Sequence, residues 1–290
     1  MIKTLGMEKL FLHNPLVSGI LHKMQVVLST KNNLVEYYLV LDGKPQVALN
    51  AVLGRTISLE FSGLIKCIYC QQKTKNSYSQ GYCYPCARKL ARCDLCILHP
   101  KNCHYHLGTC KEPEWGKEHC FSNHIVYLAN SSGIKVGITR ASTLPVRWID
   151  QGAIQALPII STQSRYQSGL VEAILAKVIP EQTNWRKMLA FDILPIDLIG
   201  IRDRLLNQCK QELQSIEAEN LNSNEIIEIK YPNSISTEYN INLNNLSNSV
   251  KKSGIISGKL LAIKGQYLVF PQGIINIRSL TGYEVCFKEL

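Results

Sequence analysis

Nine of the eleven cysteines lie between Cys67 and Cys120, and that crowding is the strongest chemical signal in the chain. CIYC, twelve residues and CYPC set Cys67, Cys70, Cys83 and Cys86 as two CxxC knuckles. Two thiolates two residues apart can turn onto one ion. A pair of such turns completes a tetrahedral site with no place for water, so structural Zn²⁺ is expected. The rival, a redox dithiol, needs one CxxC beside a βαβ pattern and leaves the second knuckle without a purpose. A second cluster follows: Cys93, Cys96, Cys103, His104, His106, Cys110, His119 and Cys120. It holds more donors than one tetrahedral ion takes, so a second zinc is expected while spacing leaves its ligands open. Cys93, Cys96, Cys103 and His106 are the first choice, Cys110 and Cys120 the substitutes. His99, His104 and His119 are expected to face solvent. Both sites read as structural, supplying folding energy to a segment poor in aliphatics. Cys209 and Cys286 stand apart and read as buried, inert thiols.

The next residues able to do chemistry sit in HIVYLANSSGIKVGITR, His124–Arg140. NSSG is turn chemistry between two strand-like runs, a β-hairpin. Alternation puts Tyr127 on the face of Ile125 and Ala129, and puts Lys135, Gly137 and Thr139 together on one face of the second strand. Packing alone would use Val or Ile there. In ASTLPVRWIDQGA, Ser142 or Thr143 can cap a short helix, Pro145 suits its first turn and Gly152 ends it. IQALPIISTQ reads as a third strand. RYQSGLVEAILAKVIP reads as a helix ended by Pro180, with Leu170, Val171, Ile174, Leu175 and Val178 on one stripe. Glu172 falls off that stripe with Arg165 beside it, facing outward or into a groove.

These elements place the chain in the α+β class, in four stretches: a β-rich region at 1–63, a Cys/His-rich zinc-binding segment at 64–123, a compact three-stranded block at 124–190, and a helix followed by β-rich sequence at 191–290. The β-rich ends can pair into one sheet with the middle inserted. The net charge is +10, concentrated in the middle: residues 61–190 hold sixteen Lys and Arg against seven Asp and Glu. Such a field suits a surface that meets phosphates, and nucleic acid is the expected partner. The start, MIKTLGMEKLFLHNPLVSG, lacks a signal-peptide pattern, and the longest apolar stretch is broken by Asp192, Pro195 and Asp197. A cytoplasmic protein without a membrane partner is expected.

The order VYL, KVG, RW, E, N resembles the GIY-YIG nuclease superfamily, whose core is a small three-stranded sheet with flanking helices. The resemblance implies that Tyr127 is the first-strand tyrosine and that Lys135, Val136 and Gly137 form the second-strand triplet, with lysine where tyrosine is usual. It further implies that Arg147 is the helix arginine, Glu172 the metal-binding glutamate and Asn184 the late asparagine. More broadly, CYPC, CHYH, EPEWG, KVGITR, RWIDQGA and TNWR resemble a bacterial family catalogued as domain of unknown function 2797, across most of the chain.

What the first resemblance implies is hydrolysis of a phosphodiester with one Mg²⁺ or Mn²⁺. Tyr127 would position or deprotonate water, with Lys135 lowering its pKa. Arg147 would hold the phosphate through its planar fork. Glu172 would bind the ion. Gly137, Arg140 and Arg165 would let phosphate approach. Against this nuclease stand a non-catalytic zinc-containing protein that binds DNA or RNA, and a basic surface serving an acidic protein partner.

Overall fold

The structure is a computed structural model that describes residues 16–179, 184–189, 191–235, 243–247 and 254–290. In chain order the first strands are β1 (Leu16–Ile20), β2 (Gln25–Leu28), β3 (Val35–Leu41), β4 (Lys44–Ala48) and β5 (Thr56–Ile65). The middle carries helices α1 (Tyr84–Lys89), α2 (Leu95–Leu98) and α3 (Pro113–Cys120), strands β6 (His124–Asn130) and β7 (Ile134–Arg140), helix α4 (Val146–Asp150), strand β8 (Gln155–Thr162) and helices α5 (Arg165–Leu175), α6 (Trp185–Met188), α7 (Leu198–Gln208) and α8 (Lys210–Leu213). Short strands β9 (Glu219–Asn220) and β10 (Ile227–Glu228) precede β11 (Ile255–Lys259), β12 (Ala262–Lys264), β13 (Tyr267–Phe270), β14 (Gly273–Asn276) and β15 (Tyr283–Glu289). Among the described residues no helix is long and apolar enough to cross a membrane.

The chain divides into two compact units: residues up to Cys86 with those from Tyr231 onward, and Ala87–Lys230. In the first, the β-rich ends pair strand to strand, in an antiparallel sheet of order β1-β15-β5-β11. Val17 lies opposite Phe287, Phe287 opposite Leu59, and Leu59 opposite Ile256. That row brings both ends of the sequence onto one face; Phe287, Leu59 and Ile256 are buried, so register is set by the apolar face. Meanders β2-β3-β4 and β12-β13-β14 complete the unit. The Gln266 side chain ties them: its Oε1 accepts from the Met24 N–H at 2.8 Å and its Nε2 donates to the Met24 carbonyl at 3.2 Å. Cys286, expected to be buried, is half-buried on β15.

In the second unit β6 is central, paired antiparallel to β7 and β8, with β9 and β10 added at β8. Val126, Leu128, Val136, Ile138 and Leu157 pack with Val171 and Leu175 of α5 and Leu198 and Leu205 of α7 into one buried core, which also takes in Cys209. Gly169 on α5 leaves room for the turn at Pro100: a Cβ there would stand 2.6 Å from the Pro100 Cβ. The Cys-rich stretch read as one segment is thus shared between the units. Pro180 lies outside the described residues. The sequence IGIRDRLLNQCKQELQSIEAE, 199–219, reads as one helix, but it breaks at Cys209, and Glu219 and Asn220 run as strand instead.

The short helix α4 starts differently from the expectation. Its cap is Pro145, without a side-chain bond. Thr143 turns back, donating from Oγ1 to the Arg140 carbonyl at 2.8 Å, and its hydroxyl meets that of Thr139 at 2.6 Å. A local side-chain bond of this kind competes with capping for the same hydroxyl.

Candidate functional site

The first thiol quartet is built by two tight turns in the first unit. Lys66 bridges Lys73 and Tyr78 bridges Tyr82, closing the loops that carry the knuckles. Gln71, just after Cys70, takes the left-handed conformation at φ 60°, turning the chain back so that its N–H donates to the Cys67 carbonyl. The outcome is that the ligand atoms of Cys67, Cys70, Cys83 and Cys86 all lie within 4.8 Å of one another, with Cys70 and Cys83 sulfurs 3.7 Å apart. Burial raises the Cys67 thiol, but backbone N–H groups of Cys70, Cys83 and Tyr69 outweigh it and bring the thiol down to about 7, which favours the thiolate. Four convergent sulfurs, on two buried and two half-buried cysteines, fit a metal ion such as zinc. Tyr69, Tyr78 and Tyr84 stand exposed on these loops.

The second cluster is arranged differently from the first-choice ligand set. His106 is exposed on its turn, and of Cys93, Cys96, Cys103 and His106 only Cys96 and Cys103 line a common void. Of the histidines expected at the surface, His99 is exposed. His104 is half-buried with Nδ1 2.8 Å from the Thr109 hydroxyl, and His119 stacks on Trp115 with ring centroids 4.3 Å apart.

On the β6–β7 hairpin, register pairs Tyr127 with Gly137 and Ala129 with Lys135, so Tyr127 and Lys135 share a face as diagonal neighbours, opposite the core of Val126 and Val136. Gly137 is bare because Tyr127 lies across it: a Cβ at Gly137 would stand 2.6 Å from the Tyr127 hydroxyl. The tyrosine is fully buried, packs edge-on to Trp148 at 6.0 Å, and donates its hydroxyl proton to Gln151 Oε1 at 2.8 Å. Burial pushes that hydroxyl up to about 12 and Glu172 adds to it, while Arg147 pulls down through its charge and a hydrogen bond. The cation acting on Tyr127 is thus Arg147 rather than the expected Lys135, and desolvation outweighs it.

Lys135 is only 3% exposed. Burial first, and then the Arg147 charge, bring its ammonium down to about 7, with Glu172 opposing. Arg147 of α4 and Glu172 of α5 thus act on the protonation of both Tyr127 on β6 and Lys135 on β7. Glu172 also lines a cavity of about 260 Å³ beside Lys101, Gly169 and Lys177. Arg165 feels both Arg147 and Glu172, but its Nη2 donates to the Ile97 carbonyl at 2.5 Å, tying the start of α5 to α2. Arg140 ends β7 opposite His124. Asn184 lies apart as the cap of α6, its Oδ1 accepting from the N–H groups of Arg186 and Lys187 at 3.1 and 3.3 Å.

Three residues of this neighbourhood carried no role in the sequence reading. Gln151 belongs to RWIDQGA, and its position one turn after Arg147 was the available signal. Trp148 is buried, with an indole N–H that has no partner among the described residues. His124 is fully buried; its Nδ1 meets the Ser122 carbonyl at 2.7 Å, and burial, with Arg165 and Arg140, lowers it to about 4.

Neither the curated proteins nor the solved structures contain a match to this chain. One family model does match, over residues 54–285, a span that takes in both thiol clusters and the whole of the β6–β8 sheet with α4 and α5. The chain belongs to that family, described as protein of unknown function (DUF2797).

Proposed function

We propose that the second unit hydrolyses a phosphodiester of nucleic acid through a GIY-YIG-like site, in a chain that also carries a zinc-stabilised basic loop. The observation that carries the reading is that Arg147 and Glu172 both act on Tyr127 and on Lys135, which share one face of the hairpin. In this site Lys135 is the base. With its pKa near neutrality it can accept a proton at working pH, whereas Tyr127, held well above its usual value, serves as a donor and positioning group. Arg147 meets the phosphate through its guanidinium fork. Glu172 offers the carboxylate for a divalent ion, and it borders the cavity of about 260 Å³ lined also by Lys101 and Lys177. Mg²⁺ or Mn²⁺ there supplies charge neutralisation at the phosphate oxygens. Zinc is the ion that four thiolates fit best at Cys67, Cys70, Cys83 and Cys86.

A second reading, binding without cleavage, is favoured by one observation: the Tyr127 ring is fully buried and its hydroxyl is already engaged by Gln151. Phosphate contacts by the basic middle, with base stacking on Tyr69, Tyr78 and Tyr84, would then be the whole activity. The two readings separate in one experiment. Purified protein is incubated with plasmid DNA and with structured RNA in Mg²⁺ or Mn²⁺, alongside Glu172→Ala and Lys135→Met. Cleavage lost in both variants supports hydrolysis. Salt-dependent binding without cleavage supports the second reading, and no salt-dependent binding to either polymer refutes both.

A further inference from the structure

We propose that Cys96, Cys103, Cys110 and Cys120 form a second four-thiolate metal site, independent of the hydrolysis reading. The four residues come from α2, the turn after Pro100, the loop before α3 and the last residue of α3, separated by six, six and nine residues. No CxxC spacing links any two of them, yet all four line one void of about 20 Å³, the size of a single small occupant. The remaining lining includes Tyr105, Trp115 and Gly116. Gly116 is buried, and a Cβ there would meet the Tyr105 ring at 3.3 Å and the Cys110 sulfur at 3.5 Å, so the absence of a side chain keeps the sulfur side of the void open.

The surroundings match the chemistry of such a site. Four thiolates on a divalent ion carry a net charge of about −2, and Arg165, at the start of α5, carries the opposite sign. Arg165 is further fixed to this segment through the Ile97 carbonyl. Outer groups of this kind orient ligands and balance their charge.

The competing set is Asp94, Cys96 and His104, whose ligand atoms lie within 4.8 Å of one another. Asp94 is already engaged there: Lys111 sits on its Oδ2 at 2.9 Å, and its Oδ1 caps α2 by accepting from the Cys96 N–H. His104 turns its Nδ1 to Thr109. This trio supplies three donors, one of them neutralised by a lysine. The thiol quartet is spread more widely around its void than the trio, but it supplies four sulfur donors to the trio's three mixed ones.

The test is zinc stoichiometry of the full chain by native mass spectrometry. Wild type is expected to hold two zinc ions. Cys110→Ser/Cys120→Ser should hold one, while Asp94→Asn/His104→Ala and Cys93→Ser/His106→Ala should each keep two. One zinc in the wild type overturns the proposal, as does loss of an ion in either control pair with retention in the thiol pair. Should the thiol variant fail to fold, ¹¹³Cd NMR of the cadmium-loaded wild type decides. Two resonances in the all-sulfur region support the site; a single resonance, or one shifted by a nitrogen or oxygen ligand, refutes it.

Discussion

Replacing Lys135 by methionine removes an amine that the fold holds almost wholly out of water. Its pKa falls from the ordinary 10.5 to about 7, chiefly because burial penalises the charged form. A lysine whose folded pKa lies below its unfolded value keeps its proton in the unfolded chain and loses it in the native one. The unfolded state therefore binds more protons between pH 7 and 10, and stability must rise with pH across that window. At about 1.4 kcal/mol per unit, the rise is on the order of 4 kcal/mol at most. Above pH 10 the raised Tyr127 hydroxyl works in the other direction, because the native state then holds a proton the unfolded chain has lost. The assay is urea unfolding followed by tryptophan fluorescence at pH 7, 8, 9 and 10. All three tryptophans, Trp115, Trp148 and Trp185, lie in the second unit, so the signal reports the unit that contains Lys135. Wild type should gain stability with pH, and Lys135→Met should show a flatter profile and higher stability at pH 7. Parallel profiles for the two proteins would refute the desolvation argument, and with it the assignment of Lys135 as a base near neutral pH.

Gly137→Ala should destabilise the second unit by roughly 1–3 kcal/mol, since its Cβ meets the Tyr127 ring within the sheet; a thermal midpoint equal to wild type would contradict that close approach. His124 is neutral when folded, with its pKa lowered to about 4, so the unfolded state takes up a proton first as pH falls below 6.5. Stability should drop between pH 6.5 and 4 by on the order of 3 kcal/mol, a loss that His124→Gln should reduce in the same urea assay. Chelation at the first quartet, or Cys67→Ser/Cys83→Ser, should release zinc and expose the Cys67–Cys86 loops to protease; unchanged proteolysis after metal removal would show that those loops fold without an ion.

Much of the architecture is legible in local pattern. Two CxxC knuckles announce a convergent thiol site because each needs only one tight turn, and the turn residues are written between the cysteines. The hairpin at His124–Arg140 follows from NSSG and strand alternation, and α5 from its apolar stripe. Asn184 belongs to the same class, since an asparagine before a short helical run is a cap by its own chemistry. The four cysteines around the second void are legible only as candidates among others, because spacings of six, six and nine residues leave their grouping to the tertiary fold.

What the sequence by itself determined is therefore whatever a few consecutive residues can enforce: the knuckles, the strand faces, the helix stripe and the charge of the middle. The tertiary structure alone decided how charge and burial meet. Pairing Tyr127 with Gly137 lays a ring across a bare backbone and leaves its hydroxyl more than usually reluctant to ionise. Enclosing Lys135 beside Arg147 turns a cation into an amine able to take a proton. The joining of Leu16–Ile20 to Tyr283–Glu289 likewise depends on a partner strand from the far end of the chain. Desolvation and strand register arise from groups brought together across long separations, and no local pattern encodes the distance at which they meet.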